Sequence, residues 1–211
     1  MKKIVYISIL FLFACGNKKN PDTKINPDTT AAGKDSVKTE VNNDSLLLDF
    51  SGRVLKAIKE DDGEKIASYI HPKEGIRFSP YTNVDTTTDV NMSVDQFKGT
   101  WSTKGGRKRV WGSYSAGEEL INMSISEYFK RFVYDLDFLE LGEISFNQTK
   151  ASGTMISNIK DIYPDADYVE YYIPGVDKKF EGMDWRALTL VFKKYEDNLY
   201  LVGIVHCEWT T

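Results

Sequence analysis

The sequence predicts an α+β domain: N-terminal helices and a mid-chain helix packed on a curved antiparallel sheet. Two patterns carry this. Apolar residues recur at helical spacing from Leu47 to Ile58 and again from Ile125 to Val133, and after Phe138 the chain turns strand-like to its end. A third observation sets the class. The 211 residues are 41% apolar, 27% charged and 13% aromatic, the composition of a globular chain.

The first segment reads as an address. Lys2 and Lys3 precede an apolar run, Ile4 to Ala14, of 11 residues, well short of the roughly 20 that a spanning helix needs. This is the length and flank of a signal-peptide core. It ends in Leu12-Phe13-Ala14-Cys15, which resembles the bacterial lipobox. The resemblance implies residues 1–14 as a lipoprotein signal peptide, cleavage before Cys15 and acylation of Cys15. A plain secretory signal with an incidental cysteine is the alternative. If Cys15 is lipidated, Cys207 has no partner for an intramolecular disulfide, and the chain is anchored to a membrane without spanning it.

Residues 15–43 read as a disordered tether. From Gly16 to Asn43 there is no aromatic residue, and only Ile25, Ala31, Ala32, Val37 and Val41 are apolar. Such a coil reaches roughly 30 Å and leaves a single α+β domain over residues 44–211. That domain has 20 basic against 27 acidic residues within a chain of net charge −4. The acidity excludes a nucleic-acid partner held by phosphate contacts.

Within the domain, Leu47, Phe50, Ser51, Val54, Leu55 and Ile58 form one helical stripe, with Asp44 or Ser45 as caps. Asp61-Asp62-Gly63 breaks it, and a short helix carries Ile66, Ala67 and Ile70 up to His71-Pro72. Ile76–Ser79 alternates as a strand. Phe97, Trp101, Val110 and Trp111 suggest one strand or two around Gly105-Gly106. Ser124 and Glu127 make a capping box before Ile125, Tyr128, Phe129, Phe132 and Val133. Strands are expected over 143–147, 168–173, 186–195 and 199–209.

The last two strands flank Glu196-Asp197-Asn198 and form a hairpin. A two-residue turn at Asp197-Asn198 puts Leu188, Leu190 and Phe192 on one face with Leu201, Val205 and Trp209. The opposite face then carries Val202, Ile204, His206 and Glu208.

This order of helices and strands resembles the nuclear transport factor 2-like cone, in which a curved sheet wraps around helices and leaves a pocket. The strings His71-Pro72-Lys73-Glu74-Gly75-Ile76-Arg77-Phe78-Ser79-Pro80-Tyr81, Met183-Asp184-Trp185 and Gly203-Ile204-Val205-His206-Cys207-Glu208-Trp209-Thr210 resemble an exported bacterial lipoprotein domain. That resemblance covers Val54 to Thr210 and implies export and a shared fold, with no activity attached.

Several residues are candidates for chemistry. His206 lies beside Glu208, which can set its tautomer as a carboxylate does in acid–base pairs; a partly buried structural histidine is the alternative. His71 is a catalytic candidate or a cap at a helix end, where a cation complements the dipole. Arg77, opposite Ile76 and Phe78 on its strand, can bind an anion through its planar fork. Asp184 and Trp185 are a turn acid with an aromatic plug, or an acid and a ligand-stacking ring at a cavity mouth. Lys104, Arg107, Lys108 and Arg109 read as a solvated turn. No metal site or cofactor is expected, since Asp161, Asp165 and Asp167 lack the rest of a calcium loop.

Three functions follow. The first is a non-enzymatic lipoprotein of the bacterial envelope that binds a small molecule or an envelope partner. The second is a cone-fold enzyme, of isomerase or hydrolase type, with a polar group in an apolar pocket. The third is a structural envelope component. Convergence of His206, Arg77 and Asp184 in one cavity separates the second from the others.

Overall fold

The computed structural model describes residues 43–103, 105–115, 117, 119–151 and 155–210. The signal peptide, Cys15, most of the tether and Lys104 lie outside the described residues. The chain opens with helices α1 (Asn43–Lys59) and α2 (Gly63–Tyr69). Helix α1 buries Leu47, Ser51, Val54, Leu55 and Ile58, the stripe its spacing implies. Asp62 then caps α2 by accepting from the Lys65 amide at 2.9 Å.

Strands β1 (Ile76–Ser79) and β2 (Val90–Met92) follow, then helix α3 (Val94–Trp101). Phe97 and Trp101, expected in a strand, are four apart on this helix. Ser93 and Gln96 close a full capping box at its start, the local signal that outweighs two aromatic residues. Next come β3 (Arg109–Ser113), β4 (Leu120–Met123), α4 (Ile125–Phe132), α5 (Phe138–Leu141) and β5 (Glu143–Phe146). Helix α4 carries the expected Ser124–Glu127 capping box. The chain ends with α6 (Ile159–Ile162), β6 (Asp167–Ile173), β7 (Arg186–Tyr195) and β8 (Asn198–Glu208).

Six strands form one sheet in the order β2-β1-β8-β7-β6-β5, while β3 and β4 pair separately. The sheet is mixed, because β1 runs parallel to β8 with Arg77 opposite Gly203 and Ser79 opposite Val205. It is also open, with β2 and β5 as its edges. This corrects the expected antiparallel cone. The short β1 and the final strand are joined by no tight turn, so no hairpin fixes their relative direction, and packing against the rest of the sheet decides it. Gly75 just before β1 sits at φ +73°, and a Cβ there would lie 2.2 Å from the Met92 carbonyl oxygen, so the close β1–β2 approach requires glycine.

The β7–β8 hairpin also departs from expectation. Tyr195 pairs with Asn198, so the turn is Glu196-Asp197, and the register slips by one residue between Phe192↔Leu201 and Val191↔Gly203. Val202 is the extra residue of this bulge. Beyond it the faces are exchanged: Leu188 opposes His206, Leu190 opposes Ile204 and Arg186 opposes Glu208. His206 and Glu208 therefore share a face with Leu188 and Leu190, while Val205 joins Val191 on the other. Trp209 lies past the strand and is 42% exposed.

Both faces of the sheet are covered. On one, Phe78, Phe97, Trp111, Tyr128, Phe129 and Phe132 pack with α1, Leu188, Leu190 and Ile204 into the main core. On the other, Val84, Ile159, Tyr163, Tyr168, Val191, Val202 and Val205 form a second core under α6. Aromatic side chains fill the main core between the helices and the sheet.

Candidate functional site

Five charged or titratable side chains meet at the end of α4 and the ends of β7 and β8. Arg131 comes from the last turn of α4, Asp135 from the loop after it, Arg186 from β7, and His206 and Glu208 from β8. Glu208 is buried and takes both Arg131 nitrogens, Nη1 at 3.1 Å and Nη2 at 2.5 Å, in a two-pronged pair. Arg186 Nε bridges the two acids, 2.9 Å from Asp135 Oδ2 and 3.3 Å from Glu208 Oε2.

His206 is fully buried, with its ring edge-on to Phe132 at 5.6 Å. Its Nδ1 lies 3.3 Å from the Pro80 carbonyl oxygen and its Nε2 lies 3.4 Å from Asp135 Oδ2. Both neighbours are acceptors, so a neutral ring donates to one at a time and a protonated ring to both. Burial pushes the Asp135 carboxyl up. The hydrogen bond and charge of His206, with those of Arg186, outweigh it and leave the net shift downward. The acid is thus held ionised beside the imidazole. Its other oxygen, Oδ1, is buried and has no hydrogen-bond partner.

Asp135 thus takes the place beside the imidazole that the sequence reading assigned to Glu208. Glu208 is nearby, but the two arginines claim it. Ligand atoms of Asp135, His206 and Glu208 all lie within 4.8 Å of one another, a spacing that suits a cation. Arg186 already lies against both carboxylates, so a metal ion would have to displace a guanidinium.

The remaining candidates lie elsewhere. His71 is buried, and its Nδ1 accepts from the Lys73 and Glu74 amides at 3.1 and 2.9 Å. Burial lowers its pKa, so it caps a turn as a neutral ring and not as the cation expected at a helix end. Arg77 does oppose Ile76 and Phe78, but its Nη1 donates to the Asp89 and Thr86 carbonyls at 3.1 and 3.4 Å. Its register partner Gly203 puts it on the sheet face opposite His206. Asp184 Oδ2 accepts from the Val176 and Asp177 amides, the role of a turn acid. Trp185 is buried against Ala187 and Cys207. His206, Arg77 and Asp184 therefore have separate partners and do not converge.

The faces of β8 give a first expected result. His206→Ala, which empties a fully buried position, should cost more stability than Trp209→Ala, whose side chain keeps much of its surface in water. Urea unfolding of both variants checks the order. A larger loss for Trp209 would place the bulge elsewhere.

Asp89 gives a second. Burial pushes its carboxyl up to about 6, against a hydrogen bond from the Ser79 hydroxyl, another from the Asp85 amide and the charge of Arg77. An unfolded aspartate titrates near about 3.9, so ionisation is harder in the folded chain. Stability is therefore lost through this group as pH rises from about 4 to 6, and the penalty is complete above that window. The melting-temperature gain of Asp89→Asn over wild type should be larger at pH 7 than at pH 4.5. An equal difference at both would mean that Asp89 ionises as it does in water.

No family model matches the chain, and no curated protein matches it. Solved structures do. One is a nuclear transport factor 2-like (NTF2-like) protein from Cytophaga hutchinsonii, at 11% identity and a TM-score of 0.39, covering 79% of this chain and 98% of that one. Another is an NTF2-like protein from Shewanella oneidensis, at 14% identity and a TM-score of 0.34, covering 79% and 100%. The likeness is to NTF2-like proteins. It is coarse, at the level of the general class.

Proposed function

We propose that this chain is an exported lipoprotein, anchored through Cys15 on the outer side of a bacterial membrane, whose domain acts on a small molecule by acid–base chemistry. The anchor rests on the Ile4–Ala14 run and Leu12-Phe13-Ala14-Cys15. Its test is fatty-acid labelling of wild type against Cys15→Ser, with label expected in the wild type alone.

The chemistry rests on one observation: the ionised, buried Asp135 beside His206, with its second oxygen unpartnered. A carboxylate that orients an imidazole is the arrangement of a general acid–base pair. Arg131, at the rim with 37% of its side chain exposed, is the group a substrate would displace to reach the sealed ring, and its planar fork suits a carboxylate or a developing oxyanion. Of the two enzyme classes this allows, a hydrolase uses the pair to activate water, and an isomerase uses it to move a proton.

Panels of p-nitrophenyl esters and of β,γ-unsaturated ketones test the two. Turnover should fall by about 100-fold or more in His206→Gln and in Asp135→Asn, in variants that circular dichroism shows to be folded. Turnover that survives both substitutions would leave the cluster as a structural lock. The second reading, a binding domain for a small molecule or envelope partner without chemistry, is favoured by the seal itself, since His206 has no exposed surface.

A further inference from the structure

A second candidate site lies away from the buried cluster. A groove of about 790 Å³ runs between β2, α3 and the start of β3, lined among others by Asn91, Gln96, Gly99, Thr100, Arg107 and Arg109. Its volume is that of a metabolite site. Among the described residues no aspartate or glutamate lines it, in a domain where acids outnumber bases by 27 to 20.

The cations of this groove are weakly compensated. No described residue pairs with Arg107, and the guanidinium of Arg109 lies over the Trp111 ring at 5.5 Å with no carboxylate partner described. Among the described residues, Lys108, also on the lining, pairs with Glu127 alone, at 3.8 Å. Like charges left together without counter-charges repel one another, and an anion between them relieves that cost.

The other lining groups refine the ligand. Gln96 uses its Oε1 to accept from the Ser93 amide, which leaves its NH2 group as a donor. The Thr100 hydroxyl donates to the Gln96 carbonyl and the Thr103 hydroxyl donates to the Thr100 carbonyl. Their hydrogens are committed, so toward a ligand these oxygens act as acceptors. Planar cations beside hydroxyl acceptors match a molecule that carries both an anionic group and hydroxyl donors.

We propose that this groove binds a small hydroxylated anion, a sugar bearing a phosphate or a carboxylate, between Arg107 and Arg109. The site is independent of the Asp135–His206 chemistry and stands or falls separately.

The probes are glucose 6-phosphate and glucuronate, with glucose as the uncharged control, titrated calorimetrically into the full-length chain at fixed ionic strength. At least one charged sugar should bind saturably and glucose should not; which of the two binds tells phosphate from carboxylate. Arg107→Gln should weaken that binding by about tenfold or more. Gly99→Leu should abolish it, because a Cβ at Gly99 meets nothing within 4 Å and the longer side chain fills the groove. Leucine is also the better helix former, so loss of the fold does not explain that result, and an unchanged melting temperature checks it. His206→Gln should bind the charged sugar as wild type does. Saturable binding of neither charged sugar, binding of glucose as tight as theirs, or binding indifferent to both Arg107→Gln and Gly99→Leu would overturn the proposal.

Discussion

Trp111→Ala should lower stability by about 3–5 kcal/mol, the range for deleting a large aromatic side chain from a packed core. Trp111 is fully buried and stacks on Tyr128 with ring centroids 4.1 Å apart and planes 16° from parallel. Phe78 meets it edge-on at 5.6 Å. Its Nε1 donates to the Met123 carbonyl at 2.9 Å, which ties β3 to β4 across their pair. Trp111, with Ile121 of β4, thus joins the small two-stranded sheet to the main core. Trp111→Phe keeps most of the ring mass and loses the donor, so its cost should fall to about 1 kcal/mol for the hydrogen bond plus a smaller packing loss. Denaturant melts of the two variants separate these contributions. A loss under about 1 kcal/mol for Trp111→Ala would mean that β3 and β4 stand apart from the core.

Glu208→Ala should cost about 3 kcal/mol, the low end of the range for breaking a buried ion pair. The low end applies because Arg131 and Arg186 keep 37% and 25% of their side-chain surface exposed, so water takes back part of the lost interaction. Arg186 retains Asp135 as a partner, and Arg131 is the group left without one. The double variant Arg131→Met/Glu208→Leu should recover much of the loss, because it removes both charges and keeps the volume. A double-mutant cycle by urea unfolding gives the coupling directly. If the two single losses simply add, the pair is a surface contact and the cluster holds nothing together.

Much of the local structure is legible in the residues. Both N-terminal helices, the capped helix at Ser124 and the four late strands follow from patterns confined to ten or twenty neighbours. Helix α3 is legible too, through the Ser93–Gln96 capping box, which outweighs the strand preference of aromatic Phe97 and Trp101. The candidate site was half legible. His206 and Glu208 stand out because they alternate on a strand. Asp135 does not, because it lies in an irregular loop 71 residues from the imidazole it touches, and nothing in its neighbourhood marks it.

The bulge at Val202 shows where local reasoning stops. Alternation assigns faces only while the count of residues between two positions is unbroken, and one inserted residue reverses every later assignment. Gly203 inside a strand was the single local sign of it. The sequence by itself determined helices α1, α2 and α4, the capped start of α4, strand β1 and the late strands with their long hairpin, because these depend on short-range hydrogen bonds and on apolar period. Only the tertiary structure decided the parallel β1–β8 pair, the open mixed sheet, the exchange of faces on β8 and the meeting of Asp135 with His206. Those depend on segments far apart in the chain, whose approach is set by how all the elements pack at once and by no residue's immediate neighbours.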